Sequence, residues 1–163
     1  MSDVNYLEKK RVLIVDDEPD VLETLEELLT MCDVERAATF DMAWDLLGTK
    51  YYDLAVLDIM GVDGYRLLSL AKERNITAVI LTAHALSTED VKKSFKGGAA
   101  FYVPKDEMTN IEAYLNDVLE AKEKGKSAWG KWLDQFSSFF NSKFGPAWQD
   151  VDKKFWGDLE RYR

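Results

Sequence analysis

The stretch VLIVDD at residues 12–17 decides the fold, because a short apolar run that ends on acids is typical of a buried strand. Three more runs of this kind follow along the chain. They are residues 54–57, which lead to Asp58; residues 78–81, which lead to Thr82; and residues 99–103, which lead through Pro104 to Lys105. Because the carboxyl ends of parallel strands meet at one edge of a sheet, we expect these polar groups to lie together.

Segments in which apolar residues recur with helical spacing separate these runs, and a weaker strand pattern covers residues 34–38. The expected helix starts are Pro19 for the first helix, a Thr39 cap for the second, Gly64 for the third, a Ser87 cap for the fourth and a Thr109–Glu112 capping box for the fifth. The alternation predicts an α/β fold with a five-stranded parallel sheet, doubly wound in the flavodoxin-like manner.

Composition limits the classes of function. The chain has 163 residues and a formal charge of −9, which argues against generic binding of nucleic acid. Its single cysteine, Cys32, cannot form an internal disulfide, and we find neither a signal-peptide pattern nor an apolar run long enough to span a membrane. We therefore expect a cytoplasmic protein. The expected organisation is a lead over residues 1–10, an α/β domain over 11–124 and an aromatic extension over 125–163.

The extension, which we call the tail, differs sharply from the domain before it. Residues 127–163 hold four of the five tryptophans and carry six Lys and Arg against five Asp and Glu. Helical spacing predicts a helical hairpin. The candidate interface residues are Trp129, Trp132, Phe136, Phe140, Trp148 and Phe155. Contact with a second copy or a partner protein is the leading expectation, and packing against its own domain is the alternative. DNA binding and membrane docking are disfavoured, because the tail lacks a basic stripe and is nearly neutral.

The acids at the predicted sheet edge need a counterion. Carboxylates about 4 Å apart repel each other by several kcal/mol at an effective dielectric constant of about 20. Hard oxygen ligands such as Asp16, Asp17 and Asp58 select Mg²⁺. With a bound cation, Asp58 could attack a phosphoryl donor, while Lys105 pairs with one phosphoryl oxygen and Thr82 donates a hydrogen bond to another.

Residues 11 to about 122 resemble a response regulator receiver domain of two-component signalling. The matching motifs are Val15-Asp16-Asp17-Glu18-Pro19, Leu57-Asp58, Leu81-Thr82-Ala83, and Tyr102 with Lys105. The resemblance implies that Asp58 is the phosphoacceptor and that the Met60 backbone carbonyl is a further Mg²⁺ ligand. It also implies that a histidine kinase or phosphotransfer protein is the donor, and that Thr82 and Tyr102 form the switch.

Other features near the site are less decisive. Ala83 and His84 follow Thr82, and we expect them at the site periphery, where His84 could influence the access of water. The loop over residues 59–64 is about two residues shorter than the loop that receivers usually have at this place. Pro104 precedes Lys105 and Asp106 follows it, whereas a proline usually follows this lysine.

The resulting expectation is a phosphorylatable receiver that signals by changed protein–protein contact or dimerisation. The surface of the fourth helix, fifth strand and fifth helix, the tail, or both would carry the signal, without a DNA-binding domain. Such a chain catalyses only its own phosphorylation and dephosphorylation. The alternative is a scaffolding module on the same fold that works without phosphorylation. A phosphohydrolase with an Asp-x-Asp nucleophile is disfavoured, because Asp16 and Asp17 are adjacent.

Overall fold

One parallel sheet forms the centre of the fold. The computed structural model describes residues 4–83, 87–145, 147–150 and 152–162, with the backbone alone at 143 and 144. The strands are β1 Arg11–Val15, β2 Asp33–Ala37, β3 Leu54–Leu57, β4 Thr77–Thr82 and β5 Phe101–Pro104. They pair in parallel in the order β2-β1-β3-β4-β5. The predicted five-stranded parallel sheet is therefore confirmed, and β5 is an edge strand.

Five helices alternate with the strands. They are α1 Pro19–Leu28, α2 Phe40–Thr49, α3 Gly64–Glu73, α4 Thr88–Lys96 and α5 Ile111–Glu123. Three predicted starts are confirmed in detail. Pro19 occupies the first turn of α1, Thr39 Oγ1 accepts a hydrogen bond from Met42 N at 3.2 Å, and Ser87 Oγ accepts one from Asp90 N at 3.0 Å. Each cap satisfies a backbone N–H that has no partner within its helix.

The predicted capping box at Thr109 and Glu112 is wrong. A 3-10 helix over Lys105–Asn110 runs directly into α5, whose N-cap residue is Asn110 and makes no side-chain capping bond. The chain thus begins to wind as soon as it leaves β5. Helix α5 continues from this existing turn, so a side-chain cap at Thr109 is not required.

The core extends into the N-terminal lead. Every residue of β3 and β5 is buried, as expected for strands covered on both faces. Leu7 is fully buried in the same core, and Tyr6 N donates to Asn116 Oδ1 at 2.6 Å. Residues 4–10 of the lead therefore pack as part of the α/β domain. Among the described residues, no helix is long and apolar enough to cross a bilayer.

The tail folds back onto its own domain. It comprises α6 Trp129–Phe144, a 3-10 turn at Trp148–Asp150 and α7 Lys153–Glu160. The six candidate interface residues, Trp129, Trp132, Phe136, Phe140, Trp148 and Phe155, are each at most 5% exposed within this single chain. The leading expectation of an intermolecular contact is therefore corrected for this conformation. The chain itself supplies the second apolar surface that these aromatics need.

Candidate functional site

Two buried carboxylates lie side by side at the sheet edge. Asp16 follows β1 and Asp58 follows β3, and these strands are neighbours that pair Val15 with Leu57. Asp16 is 1% exposed and Asp58 is 5% exposed, whereas Asp17 is exposed. Asp16 Oδ1 accepts a hydrogen bond from Glu18 N at 2.9 Å, which holds the carboxylate in place. The sheet therefore brings the predicted acids together as their strand positions require.

Lys105 supplies the positive charge that faces these acids. Its Nζ lies 2.7 Å from Asp16 Oδ2, 3.0 Å from Glu18 Oε1 and 3.8 Å from Asp58 Oδ1. The Lys105 side chain is 11% exposed, so water screens these contacts only partly. Glu18 appeared in the sequence only as part of a motif, and its role as a lysine partner was missed. A carboxylate next to two acids and directly before a helix was the available signal.

The site holds its charges at an energetic cost. Burial, together with the negative charge of Asp16, raises the pKa of Asp58 to about 7, and the nearby Lys105 only partly offsets this. Burial also raises the pKa of Asp16 against the opposing effect of Lys105. Burial alone would lower the pKa of Lys105, but its contacts with Asp16 and Glu18 raise the pKa above its ordinary value. An added cation would therefore relieve repulsion among the acids.

The donor set fits a hard divalent cation. Carboxylate oxygens of Asp16, Asp17 and Glu18 lie within 4.8 Å of one another, and the negative charge of Asp17 also acts on Asp58. Oxygen ligands of this kind suit Mg²⁺. Burial raises the pKa of both Asp16 and Asp58, and Lys105 offsets this only in part, so a further cation there would favour the ionised carboxylates. The residues present are therefore compatible with the predicted metal.

The loop between β3 and α3 fits closely around the acids. Gly61 adopts φ +77°, and a Cβ at this position would lie 2.5 Å from Asp17 Oδ2. A Cβ at Gly64 would lie 1.9 Å from the Asp58 carbonyl oxygen. Sequence reasoning assigned Gly64 to the start of α3 but missed the constraint at Gly61. Met60 lies in this loop with a half-exposed side chain, and the metal-ligand role of its carbonyl stays a prediction.

The predicted switch residues lie on adjacent strands. Thr82 ends β4 and is paired with Pro104 of β5, and its side chain is buried. Tyr102 is fully buried, and its hydroxyl has no hydrogen-bond partner among the described residues. A buried hydroxyl without a hydrogen bond costs about 1–3 kcal/mol, so the hydroxyl does not stabilise the present position of the Tyr102 ring. Ala83 is exposed just beyond β4, and His84 lies outside the described residues.

Comparisons with known proteins agree with this geometry. The model of the response regulator receiver domain family matches residues 12–116. Response regulator GtcR of Aneurinibacillus migulanus is 28% identical over 128 residues, which cover 73% of this chain and 53% of the relative. Two-component response regulator ARR18 of Arabidopsis thaliana is 34% identical over 101 residues, which cover 58% of this chain and 16% of the relative. The chain thus spans about half, or less, of the length of these relatives.

Solved receiver structures share the fold. The receiver domain of Francisella response regulator 1452 is 26% identical with a TM-score of 0.62, and the match covers 69% of this chain and 98% of that one. The BeF3-activated DrrB receiver domain gives the same identity, TM-score and coverage. The family match extends over more than half of the chain and includes the strand ends that carry Asp16, Asp58 and Lys105. The chain therefore belongs to the response regulator receiver domain family of two-component systems.

Proposed function

We propose that this chain accepts a phosphoryl group on Asp58, with Mg²⁺ as cofactor, and signals by a changed protein–protein contact. The observation that carries the proposal is the convergence of Asp16, Asp58 and Lys105 at the ends of three strands. Receivers obtain phosphoryl groups from histidine kinases or phosphotransfer proteins, and we propose a donor of this class. The DrrB receiver domain, which is 26% identical, is activated by BeF3, and this supports a similar response here.

The transfer exchanges one bond to phosphorus for another. A carboxylate oxygen of Asp58 forms the new P–O bond as the P–N bond of a phosphohistidine breaks, and the electron pair returns to the imidazole. Because Lys105 Nζ already lies 3.8 Å from Asp58 Oδ1, it can turn from Asp16 and Glu18 toward a phosphoryl oxygen. The hydroxyl of Thr82 donates a hydrogen bond to another phosphoryl oxygen. Hydrolysis of the acyl phosphate at the same site returns the carboxylate.

Asp16, Asp17 and Asp58 would hold the Mg²⁺ ion, with the Met60 carbonyl as the further ligand and Glu18 within reach of the same cluster. The bound ion supplies positive charge that neutralises the carboxylates and the incoming phosphoryl oxygens. Asp58 must be ionised to attack, and its pKa of about 7 means that much of it is protonated at neutral pH without the ion. The cofactor therefore favours the nucleophilic form of Asp58.

The experiment that tests this function is exposure of the full chain to acetyl phosphate, followed by intact-mass spectrometry. With Mg²⁺ we expect the mass of one added phosphoryl group, and hydroxylamine should remove it, as expected for an acyl phosphate. With EDTA in place of Mg²⁺ the addition should disappear.

The matched control is Asp58→Asn, which keeps the shape of the side chain and removes the nucleophile. We expect no phosphoryl addition to this variant under the same conditions. Phosphoryl addition to the Asp58→Asn variant at the rate of the parent chain would overturn the assignment. Absence of addition to the parent chain, with Mg²⁺ and a folded protein, would instead favour the phosphorylation-independent scaffold.

A further inference from the structure

The tail contacts all three elements of one face of the receiver, which we call the α4–β5–α5 face. Trp129 Nε1 donates to Ala99 O at 2.9 Å, and Trp132 Nε1 donates to Tyr102 O at 2.8 Å. These bonds attach α6 to Tyr102 in the edge strand β5 and to Ala99, which lies two residues before that strand begins. Because both indole N–H groups are buried, each depends on this partner in the receiver.

Aromatic and charged contacts extend the attachment to α4 and α5. The Phe95 ring of α4 lies 5.3 Å from Trp129 and 5.6 Å from Phe155, and Tyr114 of α5 lies 5.6 Å from Phe136. At the rim, Lys92 of α4 pairs with Asp152, the residue that caps α7. The tail is therefore a specific ligand of this face, held by hydrogen bonds, ring packing and an ion pair.

The same face is joined directly to the phosphoacceptor site. Lys105 is three residues beyond Tyr102, whose carbonyl Trp132 binds. Helix α4 is the element that follows Thr82 in the chain. The Tyr65 hydroxyl donates to Asp90 Oδ1 of α4 at 2.9 Å, and Asp90 acts electrostatically on Tyr102. A movement of the β5 backbone at Tyr102 would therefore strain the Trp132 bond, whereas rotation of the Tyr102 ring alone would not.

A receiver does not need this tail in order to fold. The Francisella and DrrB receiver structures align over 98% of their own length while covering only 69% of this chain. The family match ends at residue 116, and four of the five tryptophans lie beyond it. A segment that is dispensable for the fold, yet bound to the strand that leads to Lys105, is suited to regulation.

We propose that the tail is a releasable ligand of the α4–β5–α5 face and that its docking opposes occupancy of the Asp58 site. This inference rests on the proposed phosphorylation of Asp58. The docked tail holds the β5 backbone at Tyr102 in its present position through the Trp132 bond. Phosphorylation, which repositions Lys105, Thr82 and Tyr102, weakens that hold and exposes the aromatic face of the tail. The freed aromatic surface is then available to a partner.

The distribution of tryptophans provides a direct optical test. Trp129, Trp132, Trp148 and Trp156 are each at most 4% exposed, whereas Trp44 on α2 is 42% exposed. In the full-length Trp44→Phe variant, emission therefore reports on the tail alone. Adding Mg²⁺ with beryllium fluoride should shift this emission to longer wavelength as the indoles meet water. Mg²⁺ alone should leave the emission nearly unchanged.

Hydrogen exchange separates failure of this inference from failure of the proposed function. Binding of the mimic should increase protection in residues 12–18 and 54–60, and release should decrease it in residues 129–162. Protection at the site with an unchanged or more protected tail would overturn the inference and leave the proposed function standing. If the mimic changed protection neither at the site nor in the tail, both the inference and the proposed function would be overturned.

A rim variant keeps the test independent of core packing. Lys92→Met removes the charge that pairs with Asp152 but retains most of the stem, and it leaves the buried tryptophans in place. We expect faster exchange in α7 before the mimic is added, and half-maximal release at lower fluoride concentration. Faster exchange in α7 with an unchanged fluoride midpoint would contradict the proposed coupling.

Discussion

The acidic site around Asp58 and the tail interface are both attached to β5, but different forces hold them. At the site, buried charges face one another, with Lys105 between Asp16, Glu18 and Asp58. At the tail, aromatic rings pack on apolar neighbours and two indoles bind backbone carbonyls. Charged groups require particular partners, whereas an apolar surface can be buried against many others. The comparison explains why the site was predictable from the sequence and the destination of the tail was not.

The largest expected effect comes from the centre of the tail interface. Trp132→Ala removes a fully buried indole and its bond to Tyr102 O, and we expect a loss of about 3–5 kcal/mol in the free energy of unfolding. Urea denaturation followed by circular dichroism measures it. Trp44→Ala is the control and should cost much less, because Trp44 is 42% exposed. Equal losses in the two variants would contradict a buried docking site for Trp132.

At the charged site, replacing the buried carboxylate by Asp58→Asn should stabilise the protein. The pKa of Asp58 rises from 3.8 in the unfolded chain to about 7 in the folded protein, so folding favours its protonated form. The contribution of Asp58 to the free energy of unfolding is therefore most favourable below pH 3.8 and is lost as the pH rises through about 7. In EDTA, Asp58→Asn should gain about 2–3 kcal/mol at pH 8 and less at pH 5.

Chemical denaturation at the two pH values measures this gain. Asp53→Asn, away from the acid cluster, is the control for loss of one negative charge. If the Asp58→Asn gain did not depend on pH, or if it were larger at pH 5, the account of a buried, repelled carboxylate would be wrong.

The loop that supports the acids offers a smaller effect of opposite sign. At Gly61, φ is +77° and an added Cβ would contact the Asp17 carboxylate, so Gly61→Ala should cost about 1–2 kcal/mol and weaken Mg²⁺ binding. At Gly48 in α2, no atom of the described residues lies within 4 Å of an added Cβ, and Gly48→Ala should stabilise the protein by about 0.5–1 kcal/mol. Thermal unfolding with and without Mg²⁺ tests the two variants. A change in stability of the same sign in both would refute the close fit at Gly61.

A similarly small effect concerns α4, the helix between the two regions. Ser87→Ala removes the cap of α4 and Thr39→Ala removes that of α2, and each should cost about 1 kcal/mol. Only the Ser87 variant should also speed hydrogen exchange in α7, because α4 carries Phe95 and Lys92. If both variants affected the tail equally, the tail would be sensitive to overall stability rather than to α4.

Most of the receiver and its site could be predicted from local pattern. The acids, Thr82 and Lys105 follow apolar strands, and the parallel topology brings strand ends to one edge. Glu18 and Gly61 were missed as site residues, because their roles depend on the path of neighbouring loops. The capping box at Thr109 was wrong because the chain after β5 winds at once into a 3-10 helix. Aromatic spacing predicted the tail helices but contained no information about which surface they cover.

The most direct test of the link between the two regions is the affinity of the full chain for the phosphoryl mimic, measured by fluoride titration at fixed Mg²⁺ and beryllium. Coupling free energies are reciprocal, so loosening the tail must tighten the site if docking opposes occupancy. We predict that Trp132→Phe, which loses the indole donor but keeps a ring, binds the mimic at least about 5-fold more tightly than the Trp44→Phe control. Equal affinities, with hydrogen exchange showing a loosened tail in the Trp132 variant, would contradict the account.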